Sequence, residues 1–439
     1  MKRIFFTFAI LCAVMPASLL YSCKKDDLAD HKTDAPDVAV AWMNLYLRLT
    51  KGTAGFNSVV SFRAYAYAGL ALYESVAPGI KNGQSVTSQL QAGIQLPTAD
   101  PAKKYYWPAS ANGAMALITK KLFANTTPAL AGAIDSLEND LRTKMTNSGS
   151  PEELERSANF GKQVAASIFE WSKTDGGHEA YNNTTSDAYT APTGPGLWVP
   201  TPPGFGKPLH PYWGNNRSFI PGLAAATQPI APPVYSTDPG SVFYKAVNEV
   251  YTVSTALSST DSLVAKFWAD LPGQYNVPAH ATNIVTQLVV LKKLSLQEAA
   301  VLYCKHGIAG NEALISAFKT KYHYNLMRPV SYIRTVLGHS NWNPVIATPP
   351  HPEYASNHAV ISAALATVLE AVFGKNFSFT DHTYTNQYGN RSFNSFASYA
   401  NEAALSRLIG GIHYRFTAEE GIKQGRKVGE LVNQLKFKK

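Results

Sequence analysis

Apolar residues recur at helical spacing along most of this chain of 439 residues, whereas the alternation typical of β-strands is nearly absent. Residues 61–76 are apolar nearly all round, which is typical of a helix buried among other helices. Another helix is predicted after Pro36, because one face of this segment consists of Val38, Trp42, Leu45 and Leu49. The sequence therefore predicts an all-α protein, and its 45% of hydrophobic residues are enough for a large core.

The same periodicity predicts further helices over residues 109–123, 128–145, 151–171 and 359–373, and a shorter one around Phe267. Ser295 and Glu298 have the spacing of a capping box, in which each residue satisfies a backbone N–H of the other. This pair predicts the start of a helix that runs towards Ala309.

The composition changes between residues 176 and 240, where prolines recur among Trp198, Tyr212 and Trp213. A flexible linker would be poor in tryptophan, so we predict a long Pro/Gly/Trp-rich excursion that is ordered and packs on the helices. It divides the chain into an N-terminal helical half (36–175) and a C-terminal helical half (241–439). We expect the two halves to share one core; separate domains are the alternative.

The first residues have the pattern of a targeting segment. A basic start precedes an apolar run from Ile4 to Leu20, which Pro16 interrupts and which is short for a transmembrane helix. The run ends in Leu20-Tyr21-Ser22-Cys23, which resembles a bacterial lipobox. We therefore predict a lipoprotein signal peptide (1–22), lipidation of Cys23 and a tether (23–35). This implies a cell-envelope protein with a lipid anchor in the outer membrane and no transmembrane helix after cleavage; an ordinary cleaved signal peptide is the alternative.

The charge of the chain favours a small oxyanion over nucleic acid as a partner. There are 39 Lys and Arg residues against 30 Asp and Glu residues, and the excess is scattered rather than collected into blocks. Scattered charge does not predict binding to nucleic acid. A basic balance does suit a pocket that holds an oxyanion.

Three clusters in the last third of the chain could carry chemistry. In the first, Lys321 and Arg328 are seven residues apart, so on one helix they would point the same way, and Pro329 would end that helix. Two cations stacked in this way are unfavourable unless an anion or a carboxylate lies between them. A solvated basic face is the alternative.

The second cluster contains His351, Ser356, Asn357 and His358, and leads directly into the apolar segment 359–373. Ser356 and Asn357 are good N-caps, and the free N–H groups of a first helical turn favour an anion. His358 would then lie at the N-terminus of a buried helix. A structural N-cap with a histidine nearby is the alternative.

The third cluster contains Ser406, Arg407 and His413. Ser406 and His413 are again seven residues apart, which places them on one face of a predicted helix. The helix should end just before Thr417, because Thr417 and Glu420 have the spacing of a second capping box. A hydrogen-bonded histidine in the core is the alternative.

Together the clusters supply three permanent cations, a serine hydroxyl, the N–H groups of a helix N-terminus and two imidazoles. A tetrahedral oxyanion needs such donors on its outward oxygens. One imidazole could bond the central atom while the other moves a proton. The clusters include no carboxylate pair and no His/Cys spacing suited to zinc.

The order Lys-x6-Arg-Pro, Ser-x-His and Ser-Arg-x5-His, from Lys321 to His413, resembles the vanadium-dependent haloperoxidase and type 2 phosphatidic acid phosphatase superfamily. The resemblance implies a helical fold built around two four-helix bundles. It also implies that vanadate or phosphate is bound through the side chains of Lys321, Arg328, Arg407 and Ser356 and the backbone N–H of Asn357. His413 would be the axial ligand of vanadium, or the nucleophile of a phosphatase, and His358 the acid–base group.

Two positions depart from the family pattern. Asn357 stands where the family usually has glycine, and its side chain could narrow the pocket. Thr417 stands where many haloperoxidases have aspartate; an aspartate that normally tunes His413 would be missing here. The resemblance places His351 at a position where bromoperoxidases have histidine and chloroperoxidases have phenylalanine. It therefore favours bromide or iodide over chloride as the substrate.

The resemblance therefore implies a vanadate-dependent haloperoxidase that oxidises a halide with hydrogen peroxide to hypohalous acid. An acid-phosphatase-type hydrolase that acts on a phosphate ester through a phosphohistidine, without vanadate, is one alternative. A lipoprotein that retains the helical shell without catalysis is the other.

Overall fold

A computed structural model of the chain gives the positions of residues 36–270 and 274–439. Over these residues the protein is almost entirely helical, which confirms the all-α prediction. The predicted signal peptide, Cys23 and the tether lie outside the described residues and stay predictions. The long helices of the N-terminal half are α1 (Asp37–Gly52), α2 (Ser58–Val76), α3 (Trp107–Leu122), α4 (Pro128–Lys144) and α5 (Pro151–Ser172).

The excursion contains one short helix, and most of the remaining helices follow it. In chain order the helices are α6 (Leu223–Ala226), α7 (Val242–Thr255), α8 (Ser259–Phe267), α9 (Val277–Leu291), α10 (Leu296–Tyr324), α11 (Pro329–Thr335), α12 (Asn357–Phe373), α13 (Thr385–Tyr388), α14 (Phe396–Ile409) and α15 (Arg415–Asn433). Two short antiparallel strands, β1 (Phe379–Asp381) and β2 (Arg391–Phe393), pair with Phe379 opposite Phe393. Single 3-10 turns cover Ala77–Gly79, Thr87–Gln89 and Trp213–Asn215.

The helices that the periodicity predicts are confirmed. Helix α2 is buried along almost its whole length and packs on α10, which brings the two halves of the chain together. Helix α10 begins at the predicted capping box, in which Ser295 Oγ accepts the N–H of Glu298 and Glu298 Oε2 accepts the N–H of Ser295. Its 29 residues continue well beyond Ala309. The largest cluster of buried apolar side chains draws on both halves.

Helices α12 and α15 pack against each other unusually closely. A Cβ atom at Gly425 of α15 would meet the carbonyl oxygen of Val360 on α12, so only glycine allows this approach. The contact matters for function, because α12 and the segment before α15 carry two of the three predicted clusters.

The Pro/Gly/Trp-rich excursion is packed on the helices, as predicted. The indole rings of Trp198 and Trp213 are buried, and the backbone N–H of Trp198 donates to the carbonyl oxygen of Asn325 at 2.7 Å. On the other side, Arg217 of the excursion donates to the carbonyl oxygen of Trp171 in α5 at 2.9 Å. The excursion thus lies against both halves of the chain.

The described residues belong to one compact unit. We keep the division into two helical halves and an excursion as our proposal for the domain organisation. None of the described helices is both long enough and apolar enough to cross a lipid bilayer.

A buried carboxyl group ties the excursion to α10 and should make the stability of the protein depend on pH. Glu312 accepts the backbone N–H of Phe219 at 2.6 Å, and burial raises its pKa to about 8. The folded state therefore keeps this proton between about pH 4.5 and pH 8, where the unfolded chain releases it, so stability should fall as the pH rises through this range. Glutamine at position 312 does not titrate, and its amide oxygen can still accept the N–H of Phe219. We therefore expect Glu312→Gln to avoid this loss, which amounts to several kcal/mol of unfolding free energy at pH 9.

Thermal unfolding at pH 6, 7.5 and 9 measures this effect. The advantage of Glu312→Gln over the wild type should grow with pH, whereas Glu430→Gln, at an exposed position of α15, should follow the wild type. Curves of Glu312→Gln and wild type that stay parallel from pH 6 to pH 9 would contradict the assignment.

Candidate active site

A cavity of about 360 Å³, partly open to the surface, lies at the N-terminus of α12 and is also lined by Leu209 of the excursion and by the start of α2. One part of its wall is apolar and includes Val59, Leu209, Phe318 and Ile412. The polar residues of the wall include Asp270, Thr348, His351, Asn357, His358, Arg407 and His413. The structure thus brings residues of the second and third predicted clusters to one place.

The prediction that Lys321 and Arg328 lie on one helix is wrong. Helix α10 ends at Tyr324, because Asn325 adopts a left-handed conformation with φ of +45°. Arg328 is the extended residue before Pro329 at the start of α11. The two cations nevertheless reach the same loop, the segment between α11 and α12 that leads to Ser356.

Lys321 holds this loop from behind the cavity. Its Nζ is buried and donates to the carbonyl oxygens of Pro352, Glu353 and Ala355 at 2.5–3.0 Å, which uses its three N–H donors. Burial, followed by the charge of Arg328, lowers the pKa of Lys321 well below its usual value. Lys321 therefore orients the loop; direct contact with a bound oxygen would require it to exchange one of these carbonyls.

Arg328 joins the second and third clusters. Its Nε donates to the carbonyl oxygen of His351 and its Nη1 to that of Ile412, both at 3.0 Å. The same guanidinium lies 3.0 Å from Nδ1 of His351 and 3.2 Å from Nε2 of His413. Burial lowers its pKa to about 10, so it stays charged at neutral pH.

The N-terminus of α12 points into the cavity. Ser356 is the N-cap, as predicted, and its Oγ accepts the N–H of Ala359 at 3.5 Å. Asn357 is the first residue of the helix, and its side chain lines the cavity at the position where the family usually has glycine. The unpaired N–H groups of this first turn and the helix dipole favour an anion here.

The prediction that Ser406 and His413 share a helix is also wrong. Helix α14 ends at Ile409, and Gly411, with φ of +80°, turns the chain so that His413 lies in the loop before α15. Ser406 Oγ donates to the carbonyl oxygen of Ala403 within α14 and takes no part in the cavity wall. The capping box at Thr417 is wrong as well, because α15 begins at Arg415 and Thr417 lies in its first turn.

Arg407, in the last turn of α14, keeps donors free for a ligand. One Nη atom donates to the carbonyl oxygen of Trp268 at 2.6 Å, while Nε is buried without a hydrogen-bond partner. Burial lowers the pKa of Arg407 to about 10, so the guanidinium is charged at neutral pH. Buried polar atoms are normally hydrogen-bonded, so the unpaired Nε of Arg407 indicates that a ligand supplies the acceptor.

His413 is held by a carboxylate that the sequence did not predict. Its Nδ1 donates to Oε1 of Glu353 at 2.8 Å, and its Nε2 lies beside Arg328. Burial, followed by the charges of Arg328, Lys321 and Arg407, lowers the pKa of His413 well below its usual value. His413 is therefore a neutral imidazole with the lone pair on Nε2, the form that ligates a metal or attacks an electrophile.

His358 has a carboxylate neighbour too. Its Nε2 is 3.5 Å from Oδ2 of Asp270, and the other oxygen of Asp270 accepts a proton of His280 at 2.9 Å. Asp381 binds the second nitrogen of His280 at 2.8 Å. Burial opposes a charge on His280, but the two carboxylates outweigh it and raise the pKa of His280 to about 10. His280 is thus an imidazolium that fixes the position of Asp270.

The polar residues of the cavity suit a tetrahedral oxyanion. Several buried polar atoms around it have no hydrogen-bond partner among the described residues, namely Arg407 Nε, His358 Nε2, Asn357 Oδ1 and Thr348 Oγ1. Across the described ranges no three His, Cys, Asp or Glu side chains converge as a site for a metal cation. A vanadate or phosphate ion held by cations, helix N–H groups and one imidazole therefore fits this donor set better than a chelated metal.

The residues that the sequence analysis missed are carboxylates and their partners. Glu353 lies within the second cluster, but its spacing gave no sign that it would face His413. Asp270 lies in the loop after α8, His280 in α9 and Asp381 at the end of β1, and no periodic pattern singles them out.

Comparison with known proteins agrees with this arrangement. Residues 301–438 match a family model described as the VCPO second helical-bundle domain. None of the curated proteins compared with the chain matches it. Among solved structures, the chain is similar to the first bacterial vanadium-dependent iodoperoxidase, with 33% identity and a TM-score of 0.81 over 92% of this chain and 97% of that chain.

The chain is also similar to a bacterial vanadium-dependent chloroperoxidase in its holo and apo forms. Both structures have 17% identity and a TM-score of 0.66 over 86% of this chain, and the match covers 91% of the holo and 94% of the apo chain. At this identity the likeness shows a shared fold alone.

Proposed function

Since this chain belongs to the vanadium-dependent haloperoxidase family, we propose that it binds vanadate and oxidises a halide ion with hydrogen peroxide to hypohalous acid. The reaction converts a halide, a peroxide and a proton into hypohalous acid and water, so the site must bind an anion and deliver a proton. The observation that carries the proposal is the convergence of Arg407, His413 and the N-terminus of α12 on one cavity.

In this proposal the cations hold the oxyanion. Arg407 donates through its unpaired Nε, and Arg328, whose guanidinium lies beside His413, adds a second charge. Ser356 contributes its hydroxyl and Asn357 its backbone N–H, while Lys321 fixes the loop. Because these groups are buried and already oriented, binding costs little reorganisation.

His413 binds the central atom through Nε2, since its Nδ1 proton is committed to Glu353. When bound, vanadate supplies a Lewis acid that makes a peroxide oxygen electrophilic without a change of vanadium oxidation state. The apolar wall of the cavity, with Phe318 and Ile412, limits the entry of water and strengthens the electrostatic interactions.

His358 is the acid–base group in this proposal. Burial, followed by the charge of Arg407 and against the pull of Asp270, lowers its pKa to about 4, so the ring is neutral at neutral pH without an anion. A bound oxyanion offsets the charge of Arg407 and raises the pKa of His358. The ring can then hold a proton and pass it to an oxygen in the cavity.

We propose iodide and bromide, rather than chloride, as substrates. His351 is buried in the cavity wall beside Arg328, at the position that the family resemblance connects with halide selectivity. Burial, followed by the charges of Lys321 and Arg328, lowers the pKa of His351 well below its usual value, so a neutral, polarisable ring faces the cavity. The 33%-identical neighbour is described as an iodoperoxidase, which supports the same choice.

The test uses protein without residues 1–23, with and without orthovanadate. We expect peroxide-dependent halogenation of a dye with iodide and bromide, only when orthovanadate is present, and little activity with chloride. His351→Phe should lower the ratio of kcat/KM for iodide or bromide to that for chloride, whereas equal activity of the wild type with all three halides would contradict the assigned preference.

The same experiment separates the alternatives. Hydrolysis of a phosphate monoester that orthovanadate blocks, without halide oxidation, would instead favour an acid phosphatase with His413 as nucleophile. Neither activity, and no rise of the unfolding temperature with orthovanadate, would leave a helical protein without catalysis.

A further inference from the structure

The carboxylate of Glu353 receives three hydrogen bonds from one short segment. Its Oε1 accepts Nδ1–H of His413 at 2.8 Å and the backbone N–H of Tyr414 at 3.0 Å. Its Oε2 accepts the hydroxyl of Thr417 at 2.8 Å. All three donors lie between His413 and the first turn of α15, so this one side chain fixes the position of the segment that carries His413.

Glu353 is itself held firmly. Its backbone N–H donates to the carbonyl oxygen of Leu326 at 2.9 Å, and its carbonyl oxygen accepts Nζ of Lys321 at 3.0 Å. The side chain is fully buried. Burial raises the pKa of Glu353 to about 7, against the charges of Arg328 and Lys321 and the hydrogen bonds from Thr417 and Tyr414, so these partners offset only part of the cost of burying the carboxylate. An apolar side chain would fill the same space without this desolvation cost, which indicates a role for the carboxylate beyond packing.

The hydrogen bond to Nδ1 decides which nitrogen of His413 is available. The guanidinium of Arg328 only donates and lies 3.2 Å from Nε2 of His413, so the lone pair is on Nε2 and the ring proton is on Nδ1, where Glu353 accepts it. The second nitrogen of a metal-binding histidine is commonly hydrogen-bonded in this way, and the bond fixes both the tautomer and the orientation of the ring.

We propose that Glu353 is the positioning residue of His413, which it holds as the Nδ1–H tautomer with Nε2 directed to vanadate, and that Thr417 orients Glu353. The inference rests on the proposed function, because it assumes that Nε2 binds vanadate. It also explains the Thr417 departure: the carboxylate expected four residues after His413 comes instead from the loop before α12, and Thr417 provides its third hydrogen bond.

Variants of Glu353 and Thr417 test the proposal. Glu353→Gln keeps the shape and one acceptor but removes the charge, Glu353→Ala removes both, and Thr417→Val removes only the third hydrogen bond. Loss of the partner of a metal ligand typically costs about 10–100-fold in affinity. We expect the Kd for orthovanadate to rise in that range for Glu353→Ala, and less for Glu353→Gln and Thr417→Val.

The first readout is the tautomer of His413 in protein without vanadate. In ¹⁵N-histidine-labelled protein, the His413 signals are assigned by their loss in His413→Gln. We expect Nδ1 to carry the proton in the wild type and in Glu353→Gln, and the two tautomers to mix in Glu353→Ala. A role limited to packing would leave the tautomer unchanged.

The second readout is orthovanadate binding by calorimetry, with circular dichroism as the check of folding. An unchanged tautomer together with wild-type affinity in both Glu353 variants would overturn the proposal. If Glu353→Ala does not fold, Glu353→Gln and Thr417→Val still decide through the Kd. A wild-type protein that binds no vanadate would refute the proposed function, whereas the tautomer measurement would still test Glu353.

Discussion

Replacing His413 by alanine should abolish vanadate-dependent halide oxidation while the helices stay folded. Glu353 accepts the proton on Nδ1 of His413, which leaves the lone pair of the ring on Nε2, the nitrogen that we propose as the ligand. A metal centre contributes several kcal/mol to catalysis, so loss of its protein ligand should lower kcat/KM by at least about 1,000-fold. The residual rate should not respond to orthovanadate.

The structural cost of this change should be smaller than its functional cost. Alanine at position 413 leaves Glu353 without one of its three donors, which costs about 1–3 kcal/mol. Domains of this kind are typically stable by about 5–15 kcal/mol, so the variant should fold. Halogenation assays, orthovanadate calorimetry and circular dichroism on the same sample separate the two effects.

His339→Ala is the matched control. This histidine is exposed and stacks on Tyr251 at a ring distance of 3.9 Å, away from the cavity wall. Its removal should leave vanadate-dependent activity unchanged. Activity retained in His413→Ala, with the control also active, would mean that another group binds the central atom.

The sequence could predict the helices and the chemistry of the clusters, because both depend on local patterns. The all-round apolar segment 61–76 forms a buried helix, and the capping box at Ser295 starts one. In each cluster the motif spacing identified residue types suited to an oxyanion. The cavity wall brings together five of the predicted residues, His351, Asn357, His358, Arg407 and His413.

The local geometry of the clusters could not be predicted by continuing helical periodicity. Asn325 ends α10 before Arg328, and Gly411 turns the chain before His413. A seven-residue spacing aligns side chains only while the helix continues, and both helices stop within the interval. The residues still converge because Arg328 bonds the backbone of both other clusters, at His351 and Ile412.

The carboxylates were beyond sequence reasoning for a different reason. Glu353 meets His413 across 60 residues, and His280 meets Asp381 across 101. Such pairs are set by the packing of helices such as α12 on α15, which no local pattern encodes. The departure at Thr417 illustrates this: the residue looked like a helix cap, but its hydroxyl supports a carboxylate from another segment.

Replacing Arg407 by alanine should remove most of the affinity for vanadate with little effect on the fold. Within the protein, Arg407 donates one hydrogen bond to the carbonyl oxygen of Trp268, and its Nε has no partner. A hydrogen bond from a charged donor is worth about 1.5–3 kcal/mol, so the loss of one or two to the oxyanion should raise the Kd for orthovanadate by roughly 100-fold. Arg407→Lys keeps the charge but lacks the planar guanidinium, so its Kd for orthovanadate should lie between those of the wild type and Arg407→Ala.

Arg407→Ala should also change the pH dependence of the residual activity. This change distinguishes the loss of a cation at the site from a distant effect on stability. After burial, the charge of Arg407 is the next cause that lowers the pKa of His358 to about 4. Its removal should raise the pKa of His358 towards the ordinary value, and with it the pH at which residual activity changes. Arg415→Ala is the control, because Arg415 forms a half-exposed ion pair with Glu249 at 2.7 Å outside the cavity. An Arg407→Ala protein with the vanadate affinity and pH profile of Arg415→Ala would show that the oxyanion does not bind at the end of α14, and the proposed arrangement of the site would then be wrong.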